Sequence, residues 1–398
     1  MTAHFDDLET RDSATRDAAL LAGLQAQIDR LRAAKAPWLE GAQVETLDDL
    51  ARLPVLRKSD LGKMQAAHPP FGGIPVANIS HVFQSPGPIF EPGGNAPDWW
   101  RFGRFLHACG IGPDDTVQNC FAYHLTPAGT MFENGAAAVG ARVLPAGTGQ
   151  TDQQVAAAAA LGTTAYAGTP DYLKIILDRA AETGTQLGIT KAAVSGGALF
   201  PKLRQAYADA GIACLQCYAT ADLGLIAYEA ALDDGMILDE HVIVEIVTPG
   251  TGDPVADGEV GEVIVTTLTP DYPLVRFATG DLSAFLPGTS STGRTNRRIK
   301  GWMGRADQTT KIKGMFVRPE QVAALVAATG ADRARVIAER AGDADRMTVA
   351  LEGTGLDAGA CAAKVTDILK LRGEVTLHDP GTLPRDGLVI EDRRTYDT

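Results

Sequence analysis

Apolar residues recur at three- and four-residue steps near the start of the chain. Leu20, Leu21, Leu24, Ile28 and Leu31 share one face, which predicts a helix over 13–35. Thr46 followed three residues later by Asp49 is a variant capping box and predicts a short helix there. From residue 117 short apolar runs alternate with helical segments. Strands are predicted over 117–123, 142–145, 164–168, 191–194 and 213–217, and helices over 129–139, 152–161, 171–183 and 201–210. That rhythm predicts a parallel sheet covered by helices. After Asp239 the pattern turns to consecutive strands, 241–247, 262–268 and 283–286, with turn signals between them. These predict an antiparallel barrel or sheet added to the alternating core. Residues 287–298, rich in Gly, Ser, Thr and Arg, read as a loop. The last stretch carries its own elements, with strands over 335–339, 346–352 and 374–378 and a helix over 360–370, enough for a small separate core.

Composition narrows the class. A chain of 398 residues with 45% hydrophobic and 21% charged residues is long enough for two or three globular domains. A net charge of −13 argues against nucleic acid or an anionic membrane as partner. Cys214 and Cys217 form a Cys-x-x-Cys without a second pair, so they read as small buried strand residues rather than zinc ligands. The acidic start lacks an apolar leader, and no run of ~18 apolar residues exists to span a bilayer. The expectation is a soluble, reduced, cytoplasmic protein.

Two segments concentrate the chemistry. One is Tyr272-Pro-Leu-Val-Arg-Phe-Ala-Thr-Gly-Asp281-Leu, and the other is Gly304-Arg305-Ala-Asp307-Gln-Thr-Thr-Lys311-Ile-Lys313-Gly. Gly280 lets the backbone turn so that Asp281 ends a strand. A carboxylate and an arginine suit a ribose diol, because one accepts its hydroxyl protons and the other donates to its oxygens. Taken alone, each segment reads rather as a surface salt bridge beside a hairpin turn; their order, spacing and flanks make the pair far more specific.

Taken in order, the segments resemble the nucleotide-binding and hinge motifs of the adenylate-forming superfamily, and most of all its phenylacetate-CoA ligase branch. Residues 53–61, a Leu-Pro-x-x-x-Lys-x-x-Leu run, and 315–322 continue that wording. The resemblance implies an α/β fold: a large N-terminal domain, 1–303, of helix-covered sheets with an added antiparallel β subdomain, and a small mobile α+β lid, 304–398, turning about Asp307. It also implies ATP or AMP, Mg2+ and coenzyme A as ligands, with a small aromatic carboxylic acid as substrate, and it is compatible with a homodimer. Ser195-Gly196-Gly197 stands where the family has its adenine loop. Tyr218-Ala-Thr220-Ala-Asp222 resembles the next motif, in which Tyr218 stacks on adenine, Thr220 touches phosphate and Asp222 helps hold magnesium. Phe121, Tyr123 and His124 fall in the segment that lines the acid pocket. Asp281 and Arg305 take the ribose, and Lys311 and Lys313 the second half-reaction.

Two places depart from the family wording. The phosphate loop reads Gln84-Ser85-Pro-Gly87-Pro-Ile-Phe-Glu91-Pro-Gly-Gly, in which Ser85 and Gly87 survive, the lysine is gone, and Glu91 brings a charge that repels phosphate. Near the C-terminus Leu388 stands where the family's catalytic lysine is expected. The leading expectation is an acyl-CoA synthetase working through an acyl-adenylate. The alternatives are a homologue that binds AMP, acyl-adenylate or acyl-CoA, or one that performs only the thioester-forming half.

Overall fold

The computed structural model describes residues 3–394 except 37, 38, 40–42, 86, 87, 198, 309, 314, 342, 343 and 385–387. The chain divides into two compact units, one of residues 1–279 and 284–301 and one of 280–283 and 302–398.

The larger unit is built on a nine-stranded sheet. Five of its strands run parallel, in the spatial order Arg142–Pro145, Thr116–Asn119, Ala165–Gly168, Lys191–Val194, Ala213–Thr220. The chain goes outward from Thr116–Asn119 to the edge and then crosses back, so the sheet switches direction beside that strand. Ligands of open α/β sheets bind at the carboxyl ends beside such a switch. Four antiparallel strands continue the sheet from Ala213–Thr220: Gly224–Tyr228, Met236–Leu238, Arg298–Ile299 and Phe285–Leu286. A second sheet orders Leu56–Arg57, Phe277–Ser283, Gly261–Thr267 and Val242–Val247. It is an open sheet rather than a barrel, and Leu56–Arg57 joins it in parallel.

The strand expected over 283–286 is two strands. The chain changes sheets at Ala284, where Phe277–Ser283 ends and Phe285–Leu286 pairs with Arg298–Ile299. Asp281 therefore lies within a strand rather than at its end. The phosphate-loop region is also more regular than a loop. Ile79–Ser85 and Ile89–Gly94 form an antiparallel hairpin. Its glycines are required by aromatic packing, since a Cβ on Gly94 would meet the Trp99 ring at 2.4 Å and one on Gly93 the Phe83 ring at 2.6 Å.

The first helix, Ser13–Ala33, is capped by Asp12 accepting from the Thr15 N–H and buries Leu20, Leu24, Ile28 and Leu31. Leu21 is only partly buried. The smaller unit has its own core beneath the sheet Glu374–His378, Ala344–Glu352, Arg333–Ala341, Ile390–Asp392, covered by helices Pro319–Thr329 and Ala358–Leu369. Among the described residues no helix is long and apolar enough to cross a membrane.

Candidate active site

In the larger unit the carboxyl ends of the parallel strands carry several of the expected residues. Phe121, just past Thr116–Asn119, is buried and stacks on Phe132 with centroids 4.4 Å apart. It abuts the turn after Lys191–Val194: a Cβ on Gly196 would lie 3.6 Å from the Phe121 ring, and Gly196 has φ +71°. A side chain there would therefore be strained, so glycine keeps the turn close to the ring. Ser195 commits its hydroxyl proton to the Cys217 carbonyl, 3.1 Å away, tying this turn to the next strand. Gly197 completes the turn. Tyr123 is half-buried, and its hydroxyl accepts from Asn119 Nδ2 at 2.8 Å. Burial, then the neighbouring Glu133, raises its phenol well above the usual range. His124 is exposed.

Tyr218 is buried in the strand Ala213–Thr220, beside a register shift at 218/219. That strand turns into Gly224–Tyr228 through three residues, Ala221-Asp222-Leu223. Thr220 Oγ1 accepts from the Leu223 N–H at 3.2 Å and closes the turn. Asp222 is thereby driven inward, its side chain 0% exposed. Lys58 Nζ donates to its Oδ2 at 2.5 Å. Lys58 opens the helix Lys58–Ala67. A cation at a helix N-terminus is misplaced by about 0.3–1 kcal/mol in the helix field, a cost the Asp222 carboxylate offsets. Sequence reading placed Lys58 in a motif but gave it no role, and its partner is 164 residues away.

Glu91 is the residue expected to bring a repulsive charge to the phosphate loop. It is fully buried, at a position that alternates with Ile89 and Gly93, and its Oε2 accepts from the Ser85 N–H at 3.1 Å. Burial, then the negative charge of Asp222, pushes its carboxyl up to about 7. Three buried oxygens here have no hydrogen-bond partner among the described residues: Glu91 Oε1, Asp222 Oδ1 and the Tyr272 hydroxyl. Hard oxygens with lone pairs to spare suit Mg2+, so Asp222 fits the metal role the resemblance implies. Gly87 lies outside the described residues.

In the smaller unit Asp281 and Arg305 meet as an antiparallel bridge, with Nη1 to Oδ1 at 3.2 Å. Gly280 makes this possible, since a Cβ there would lie 2.7 Å from the guanidinium. The Trp302 indole N–H also donates to Asp281 Oδ1, at 3.1 Å. Sequence reading missed Trp302, although a tryptophan two residues before the Gly-Arg motif marks it. Asp307 sits in the 3-10 turn Ala306–Gln308 directly after the bridge, and its side chain is outside the described residues, as is that of Lys311. The next turn is the tip of the hairpin Thr310–Ile312/Met315–Val317. There Lys313 has φ +48° and its N–H donates to Asp345 at 2.8 Å. The Lys313 ammonium reaches the Arg372 carbonyl at 3.5 Å. Leu388 is 37% exposed. Arg385 and Arg393 are the arginines near the position of the missing lysine; Arg385 lies outside the described residues, and Arg393 is engaged by Glu391 and Glu339.

No family model matches the chain. The phenylacetate-coenzyme A ligase of Escherichia coli (strain K12) is 30% identical over 298 residues, covering 69% of this chain and 66% of that protein. The phenylacetate-coenzyme A ligase of Thermus thermophilus is 29% identical over 300 residues, 71% of this chain and 66% of that one. The chain thus spans about two thirds of the length of these curated relatives. The crystal structure of 2-hydroxyisobutyryl-CoA ligase in the postadenylation state, in complex with 2-HIB-AMP, is similar at TM-score 0.79 and 26% identity, covering 97% of this chain and 91% of that one. Fold and motif order together define an adenylate-forming enzyme fold. Within that superfamily the chain is similar to the phenylacetate-CoA ligases.

Proposed function

We propose that the chain is an ATP-dependent carboxylate–CoA ligase. The observation that carries this is the similarity over 97% of the chain to a CoA ligase bound to an acyl-adenylate. In the first step the substrate carboxylate attacks the α-phosphorus of ATP and pyrophosphate leaves. In the second the CoA thiolate attacks the acyl carbonyl and AMP leaves. Tyr218 and the Ser195–Gly197 turn are assigned to adenine, Asp281 with Arg305 to the ribose hydroxyls, and Thr220 to phosphate. Asp222 is assigned to Mg2+, which when bound neutralises charge on the phosphates. Asp307 is the proposed hinge between domains 1–303 and 304–398, and Lys311 and Lys313 are assigned to thioester formation. Phe121, stacked on Phe132, supports a small acid with an aromatic or apolar body, with Tyr123 and His124 proposed beside it. A cytoplasmic homodimer without nucleic-acid or membrane partners completes the reading.

The test is carboxylate-dependent exchange of labelled pyrophosphate into ATP, run across aryl, arylacetic and branched 2-hydroxy acids. Exchange with at least one acid is expected. In Asp281→Ala it should fall by about 10²–10³-fold, from the loss of two charge-assisted hydrogen bonds. No exchange with any acid, alongside calorimetric binding of AMP or acyl-CoA, would replace this reading with the second one. That second reading, binding or thioester formation only, is favoured by one observation: Leu388 stands in the lysine position while Arg393 is engaged elsewhere. A Leu388→Lys variant should adenylate roughly tenfold or more faster if that position is the missing electrostatic group.

A further inference from the structure

We infer that Glu91 is a second protein ligand for a divalent cation held jointly with Asp222, and that this cation takes the place of the lysine absent from the phosphate loop. The inference rests on the ligase reading only for the role of Asp222. The strand Ile89–Gly94 carries Ile89, Glu91 and Gly93 on alternate positions, where strand periodicity calls for core-facing residues. An ionised carboxylate placed there costs several kcal/mol unless a cation or hydrogen-bond donors meet it. The protein supplies the backbone N–H and the side chain of Ser85. The charge of Lys58 also favours the ionised form of Glu91, but its ammonium is bonded to Asp222 Oδ2.

Two buried carboxyls thus share one ammonium, which is bonded to Asp222 alone. Each acid keeps one buried oxygen without a partner, and the buried Tyr272 hydroxyl, which lies within the field of both acids, is a third. The arrangement is also fixed from behind. Gln65, two turns along the helix from Lys58, donates to the Phe90 carbonyl at 2.7 Å and accepts from the Phe90 N–H at 2.8 Å. This clamps the helix that presents Lys58 to the strand that presents Glu91. Mg2+ is commonly held by one or two carboxylates together with substrate phosphates. Two carboxylates and unpartnered oxygens at the end where polyphosphate is expected are the protein's share of such a set.

The experiment titrates the full-length, nucleotide-free protein with Mn2+, following free Mn2+ by electron paramagnetic resonance and heat by calorimetry. Wild type should bind one Mn2+, Glu91→Gln should weaken that binding by about tenfold or more, and Glu91→Asp should weaken it less. Equal affinity of wild type and a folded Glu91→Gln overturns the inference, as does a wild type that binds no Mn2+ at millimolar concentration. If the Gln variant does not fold, Glu91→Asp decides: weakened binding supports the cation site and unchanged binding overturns it. The ligase reading fails separately. Absent pyrophosphate exchange with Glu91-dependent Mn2+ binding removes the ligase and leaves the site, and the reverse pattern does the opposite.

Discussion

Asp239 and Asp222 are both buried aspartates of the larger unit, and their surroundings differ in charge. Asp239 is met by Arg101 at 3.2 Å and Arg104 at 2.9 Å, and it accepts from the His241 N–H at 3.0 Å. Burial alone would raise its carboxyl, yet the two guanidiniums outweigh it and hold the group below the usual carboxylate range. Asp222 has one ammonium and shares it with the field of Glu91, whose carboxyl burial pushes up to about 7. Asp239 is flanked by two guanidiniums, one of which also pairs with Asp6, whereas Asp222 is met by a single ammonium. Burial favours the neutral form of the Glu91 carboxyl. The oxygens of Asp222 and Glu91 left without partners are where the proposed cation would bind.

The comparison breaks most visibly at Asp239. Asp239→Ala leaves Arg101 and Arg104 buried without their shared anion, which should cost about 3–5 kcal/mol. The check is urea denaturation followed by circular dichroism, and millimolar Mn2+ should recover none of the loss. A cost under about 1 kcal/mol would mean that the cluster is not the strut its geometry describes.

Lys58→Met carries the same logic to the other cluster, where the expected loss is smaller, about 1–2 kcal/mol, because Lys58 is 31% exposed. Here Mn2+ should restore part of the stability, since the cation supplies the charge that the lysine did. A Mn2+ response of the same size in both variants would erase the distinction between the two clusters.

The contrast also explains what was legible beforehand. Strands 142–145, 191–194 and 374–378 stand where their apolar runs predict them, because each is a local pattern with turn signals on both sides. The order of the nucleotide motifs was readable for the same reason. The hairpin Ile79–Ser85/Ile89–Gly94 was not. Its Pro and Gly residues look like a loop, and only the Trp99, Trp100 and Phe83 rings lying over Gly93 and Gly94 make them strand residues. The burial of Glu91 was not legible because direction in a strand depends on register, and a one-residue shift turns every side chain to the other face. The Lys58–Asp222 contact was invisible because nothing local encodes a pairing across 164 residues. The helix Pro319–Thr329 had a proline at its first turn as a signal, but no predicted element was placed there.

The smallest effect belongs to Asp98, which borders the arginine-rich cluster yet behaves like an acid short of charge. Burial raises its carboxyl to about 7, and the charge of Asp239 adds to this, although the Gly103 N–H donates to both of its oxygens, at 2.9 and 3.0 Å. A carboxyl raised on folding is protonated more readily in the native state than in the unfolded chain. The folded state then binds the extra proton between about pH 4 and pH 7, so stability falls as pH rises through that window and levels off above it. Relaxation and the nearby guanidiniums should limit the fall to about 1–2 kcal/mol. Asp98→Asn keeps an oxygen for the Gly103 N–H and has no proton to lose. Its melting temperature should therefore decline less than that of wild type between pH 5 and pH 8. Parallel pH profiles would show that Arg101 and Arg104 hold Asp98 ionised as they hold Asp239, and the arginine-rich cluster would then extend one acid further than its ion pairs indicate.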